Sequence, residues 1–229
     1  MQRLPAHLDA LPAASRPGDP ADLYDDPTPG TGHYAWRWND VGFVNLNVKP
    51  GFEVEPADKP GTLRRIDPRD STGFLEAFLL SRSKSTSRQI MVLGHYPIGL
   101  DRISDAERAT FCRVLRHAQT GAGSFGGVPR LAPDWPVIAY LHGHTHDPPQ
   151  QHDQDFTCPA PYDAVKIPQF NVGTPQSGSA GKHPGRIQFS LFRIGNKALD
   201  FVGVDASESD PAGPWTFINP ARRAHVAAP

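Results

Sequence analysis

The sequence predicts a layered α/β fold, and three observations carry that prediction. First, the runs at 89–94 and 136–142 are almost continuously apolar, as strands buried on both faces are. Second, helical periods lie beside these runs, with Phe74, Leu75, Phe78 and Leu79 in one segment and a capped segment from Ser104 in another. Alternation of strand and helix builds sheets that carry their helices outside. Third, short β-type runs recur near 33–48, 165–172, 186–194 and 198–204.

Taken in order, residues 1–32 hold six prolines and only a weak Leu4, Leu8, Leu11 stripe, which reads as a short helix at most and then loop. Tyr34, Trp36 and Trp38 share one face of a strand, Asn39-Asp40 is a turn signal, and Phe43–Val48 returns. Residues 50–70 read as a Pro- and charge-rich loop. Ser71 or Thr72 is the expected cap of a helix over 72–87. A strand at 89–94 follows, then a helix over 104–118 that opens with the capping box Ser104-Asp105-Ala106-Glu107. His117 falls in its last turn and reads as structural or surface. Gly121–Gly127 reads as loop, 136–142 as strand and 148–163 as polar loop. Gly195-Asn196 joins the last two of the remaining strands, and 205–229 reads as a loosely packed tail. The strands at 89–94 and 136–142 are expected to share a sheet with 33–48 or with 165–204, the helices lying outside. The domain division is a loop-rich segment 1–32, a domain 33–205 and a tail 206–229.

With 229 residues, 38% of them hydrophobic, the chain can form one domain or two small ones. A net charge of −1 gives no global attraction to nucleic acid or to an anionic membrane. No apolar run approaches the ~20 residues of a membrane span, and the start does not read as a signal peptide. Cys112 and Cys158 permit a disulfide without implying one. Cys112, in a helical pattern, reads as a buried thiol, so the compartment stays open. Pro at 25 and Gly at 21 point to many loops.

The chemistry sits in the run Tyr140-Leu-His-Gly-His-Thr-His-Asp147. Histidines at 142, 144 and 146 alternate, which in an extended chain would place them on one side. Imidazole is the commonest protein ligand for metals such as zinc. The bland alternative is a polar strand end with surface histidines, which a lone His would favour over a cluster of three. A second apolar run reaches Gly94-His95-Tyr96-Pro97 in the same way. Open α/β sheets build sites from the C-terminal ends of such strands. His33 and His142 read as structural or as supports behind the ligands, and His183 and His225 carry no role. No Gly-Lys-Ser/Thr phosphate loop is present, and Gly178–Gly185 reads as a connection between strands.

Gly94-His95-Tyr96-Pro97 and Gly143-His144-Thr145-His146, in that order, resemble the last two metal-binding motifs of the calcineurin-like metallophosphoesterases. Residues 33–48 resemble that family's central hairpin, and Phe170–Pro175 its following strand and loop, so the likeness spans about 30–205. It implies a β-sandwich flanked by helices and a pair of divalent ions (Mn, Fe or Zn). His95 and His144 would bind one ion and His146 the other. The family's first three motifs, Asp-x-His, Gly-Asp and Gly-Asn-His, are absent in usable form. Gly18-Asp19-Pro20-Ala21-Asp22 resembles the second, but no strand-like run precedes it. The chain therefore reads as the C-terminal half of the fold, with one weakly bound ion. Asp147 and Asp153 are candidate substitute ligands or hydrogen-bond partners of ligands, though more simply loop carboxylates.

The implied activity is hydrolysis of phosphomonoesters or phosphodiesters in a small molecule, lipid or nucleotide. The catalytic residues are not identified, and activity alone is expected to be weak or absent. The alternatives are a non-catalytic remnant or interaction module that keeps partial metal binding, and a subunit completed by a separate N-terminal half. No specific nucleic acid partner is implied. An apolar face left open on the strands at 89–94 and 136–142 would favour self-association.

Overall fold

A computed structural model of the chain describes residues 24–25, 31–38, 41–54, 68–82, 89–100, 102–120, 137–144, 155–163, 165–173, 186–194, 198–207, 209 and 216–225. The elements are β1 (Tyr24–Asp25), β2 (Tyr34–Trp38), β3 (Val41–Asn45), α1 (Ser71–Arg82), β4 (Gln89–Leu93), α2 (Asp105–Thr120), β5 (Val137–His142), β6 (Asp155–Thr157), β7 (Lys166–Asn171), β8 (Arg186–Ile194), β9 (Ala198–Ser207) and β10 (Thr216–His225). One sheet has the order β1-β2-β3-β4-β5-β7-β6, and a second has the order β10-β9-β8. The chain is thus mixed α/β. Its central strands β3, β4, β5 and β7 are parallel.

The hairpin at 33–48 and the strand at 165–172 therefore both join the sheet of β4 and β5, while β8 and β9 pair with β10 in a separate sheet. The alternation of side chains across β4 explains the layering. Ile90 and Val92 pack with Phe74, Leu75 and Phe78 of α1 and with Phe111, Val114 and Leu115 of α2. Met91 packs on the other face with Leu199 and Phe201 of β9. In β5 the alternation slips, because Ile138 and Ala139 both belong to the second cluster. The cause is an irregularity in register, where Ile90 pairs with Val137 but Met91 pairs with Ala139.

β5 is buried along its whole length, and both faces of β4 and β5 are covered within the chain. This corrects the expectation that these strands leave an apolar face open. No helix among the described residues is long and apolar enough to cross a membrane.

The helices differ in detail from their expected forms. Asp70 caps α1, its Oδ1 accepting from Gly73 N at 3.0 Å. Ser71, the expected cap, instead accepts from Gly51 N at 3.0 Å and donates to the Lys49 carbonyl. Residues 83–88 of the expected helix lie outside the described residues. In α2 the capping box forms, with Glu107 N donating to Ser104 Oγ and Ser104 N donating to Glu107 Oε2. The same carboxylate does more than cap. Its Oε1 accepts from Phe52 N at 2.9 Å and Glu53 N at 2.7 Å, and Lys49 Nζ lies 3.1 Å from Oε2. Lys49 also donates to the Arg102 carbonyl. The Lys49 and Glu107 side chains are 1% and 0% exposed, so this is a dry ion pair. Burial pushes the Glu107 carboxyl up, but the N–H groups of Glu53 and Ser104 and the Lys49 ammonium outweigh it and hold the carboxyl below its usual value.

Three further expectations are corrected. Cys112 of α2 and Cys158, just after β6, form a disulfide rather than leaving a buried thiol. A separation of 46 residues hides this pairing from any local pattern. Within the expected loop 148–163, β6 pairs antiparallel with β7 and brings Cys158 onto the helix. The expected tail contains β10, which pairs along β9 from Thr216 to His225. Pro220 lies where the register shifts between Ile218 and Arg222, on an edge strand that tolerates a missing N–H. The expected loops 121–127 and 178–185 lie outside the described residues, as do His152, Asp153 and His183.

Two outcomes follow from these contacts. Replacing Cys112 and Cys158 by serine should cost about 4 kcal/mol, the chain-entropy value for a loop of this length, measured by denaturant unfolding against the oxidised protein. Glu107→Gln should cost about 3–5 kcal/mol, because Lys49 is left buried without its counter-charge. A carboxyl held below its unfolded value stabilises the fold above that value, ~4.3. The wild-type protein should therefore lose this share of stability as pH falls through and below ~4.3, whereas the Gln variant should show a smaller loss in the same acid titration.

Candidate metal centre

The parallel strands end along one edge, and the ladder of backbone hydrogen bonds continues past them. Leu46 N donates to Leu93 O at 2.8 Å, Gly94 N to Leu141 O at 3.0 Å and Val172 N to His142 O at 2.9 Å. His95 N donates to both Asn47 O and Val48 O, and Tyr96 N to Val48 O. Gly143 N then donates to His95 O at 3.1 Å. His95 is thereby tied to the segment after β3 on one side and to the segment after β5 on the other.

Two left-handed residues turn the flanking chains. Asn47 has φ 59°, a conformation that Asn tolerates well. Its N–H donates to Asn45 Oδ1 at 3.2 Å and its side-chain amide to Thr31 O at 3.0 Å. His144 has φ 75°. The extended alternation that would place His142, His144 and His146 on one side therefore stops at His142. The His142 side chain is buried, its ring 6.3 Å from that of Tyr140 and its Nδ1 3.3 Å from Gly143 O. The left-handed turn sends His144 to His95 instead.

His144 Nδ1 and His95 Nε2 are 3.2 Å apart, with the ring planes at 78°. Two ring nitrogens this close share a proton or a metal ion. Zinc–nitrogen bonds of about 2.0–2.1 Å in a tetrahedron set ligand nitrogens roughly 3.3–3.4 Å apart. The observed separation therefore fits two ligands of one ion with little movement. The Tyr96 ring stands 4.2 Å from His144 and 4.9 Å from His95, walling one side of the pair. His95 is exposed, so the pair is open to solvent.

Of the three expected ligands, the structure brings His95 and His144 together, and His146 lies outside the described residues, as does Asp147. No group of three or more His, Cys, Asp or Glu able to hold a metal occurs among the described residues. His33 and His117 are buried, the former 5.5 Å from the Phe74 ring, in keeping with structural roles.

Sequence reasoning passed over Tyr140 and Gln169. Tyr140 Oη donates to Tyr96 O at 2.7 Å, and Gln169 Oε1 accepts from Ile98 N at 2.8 Å. Gly94 is required by this arrangement. A Cβ there would lie 2.1 Å from Tyr140 Oη and 3.0 Å from its Cζ. The glycine of the Gly-His step thus makes room for a tyrosine from the next strand.

Comparison with protein-family models, curated proteins and solved structures finds no match for this chain.

Gly94→Ala should destabilise the protein by about 1–3 kcal/mol through overpacking against Tyr140. Denaturant unfolding checks this, and an unchanged midpoint would mean that Tyr140 moves aside freely.

Proposed function

We propose that the chain belongs to the metal-dependent phosphoesterase lineage and carries the His-bearing half of a calcineurin-like fold. In this reading His95 and His144 bind one divalent ion weakly, and His146 from the same run is the ligand that the resemblance assigns to a second ion. The observation that carries it is the 3.2 Å approach of two imidazole nitrogens at the ends of adjacent parallel strands. The order of hairpin, strand-Gly-His and strand-Gly-His-x-His supports the family assignment. Divalent ions in such sites polarise a phosphoryl oxygen and lower the pKa of a bound water. Within this chain the His pair supplies ligands, and Tyr96 shields one side of them.

A second reading is a non-catalytic remnant that keeps partial metal binding. The lack of the family's Asp-x-His, Gly-Asp and Gly-Asn-His motifs in usable form favours it. Activity separates the two. Purified chain supplied with zinc or manganese should retain metal by mass spectrometry, and His95→Ala and His144→Ala should each abolish retention. Hydrolysis of bis(p-nitrophenyl) phosphate and p-nitrophenyl phosphate should be far slower than the ~1–10 per second of ordinary enzymes. Slow turnover lost in His144→Ala supports the lineage with residual activity, whereas no turnover at all supports the remnant. Metal retention equal in wild type and both alanine variants would overturn the His95–His144 assignment.

A further inference from the structure

We propose that Tyr140 and Gln169 are positioning residues that hold the His95 loop in the one geometry where His95 meets His144. The inference rests on the metal-binding reading for its consequence but not for its geometry.

The loop 95–98 carries His95 with little regular structure of its own. Its outer N–H groups, those of His95 and Tyr96, are taken by the backbone after β3. Its inner side faces two buried polar side chains from neighbouring strands. Tyr140 of β5 is 0% exposed and donates to the Tyr96 carbonyl at 2.7 Å. Gln169 of β7 is 7% exposed and accepts from the Ile98 N–H at 2.8 Å. Tyr140 and Gln169 are register partners in the parallel β5–β7 pair, so they rise from the sheet side by side. One grips a carbonyl and the other an N–H two residues later, which fixes both the height and the rotation of the segment.

Three features support this role. A tyrosine hydroxyl and a glutamine amide are costly to bury unless they gain hydrogen bonds, and each makes one to this loop. Burial also pushes the Tyr140 phenol far up, so it stays a donor at any working pH. Gly94 leaves the space through which the hydroxyl reaches, since any side chain there would collide with it. Losing either grip frees the loop to shift. A shift of about an ångström is enough to break a 3.2 Å contact between two rings, and supports behind metal ligands typically govern affinity by about 10–100-fold.

The test uses the full chain with two near-isosteric variants, Tyr140→Phe and Gln169→Met. Two readouts are taken. The first is the 15N and 1H signals of the His95 and His144 rings in the metal-free protein. The second is cobalt(II) affinity with its d–d absorption. Each variant should disturb the paired ring signals and weaken cobalt binding by about tenfold or more, with the circular dichroism of the fold retained. Unchanged ring signals and unchanged affinity would overturn the proposal, as would a lowered melting temperature with both readouts intact, the mark of packing alone. If Tyr140→Phe fails to fold, Gln169→Met decides by the same criteria. If wild-type protein binds no cobalt through His144, the metal reading fails by itself, and the ring signals still decide whether the two residues position the loop.

Discussion

The continuation of the parallel ladder beyond the ends of β3, β4 and β5 is the constraint on which the candidate site depends. Parallel strands ending at one level would ordinarily leave their next N–H and C=O groups to water or to loops. Here the Gly94 N–H goes to Leu141 O, those of His95 and Tyr96 to Asn47 and Val48, that of Gly143 to His95 O and that of Val172 to His142 O. Each of those bonds is worth only about 0.5–1.5 kcal/mol net, but leaving its members buried and unmade costs more. The segments carrying His95 and His144 are therefore held relative to the sheet rather than free to wander. The left-handed turn at His144 is the local cost of bringing its ring back to His95.

The edge is fixed from behind by the dry Lys49–Glu107 pair. Glu107 anchors the start of α2 and the N–H groups of residues 52 and 53 at once, and Lys49 directly follows the segment that receives the His95 and Tyr96 N–H groups. A buried ion pair is weak as a source of net stability, but displacing either partner leaves a charge in an apolar interior. The disulfide works from the other side, tying α2 to the β6–β7 hairpin and so to the strand that carries Gln169. Such cross-links persist in oxidising compartments.

Strands β4 and β5 were legible because burial on both faces demands a continuous apolar run, and α1 and α2 because their buried residues repeat with the helical period. The pairing of His95 with His144 was legible as a motif, but its geometry was not. Alternation in an extended chain placed three histidines on one side, and a single positive φ at His144 undid that. Glu107 was visible as a cap, whereas Lys49, 58 residues away, carried no local sign of being its partner. The same non-locality hid the Cys112–Cys158 pairing and the return of the chain as β10 along β9. Tyr140 was legible as core and not as a donor, because its acceptor is a backbone carbonyl on another strand's loop.

The central claim, that His95 and His144 share one divalent ion, is tested most directly by crystals grown with zinc and anomalous data collected at the zinc edge. The account predicts one strong peak about 2.0–2.1 Å from both His95 Nε2 and His144 Nδ1. A structure that keeps the 3.2 Å nitrogen contact with no peak between the rings, or with zinc bound only elsewhere, would contradict it.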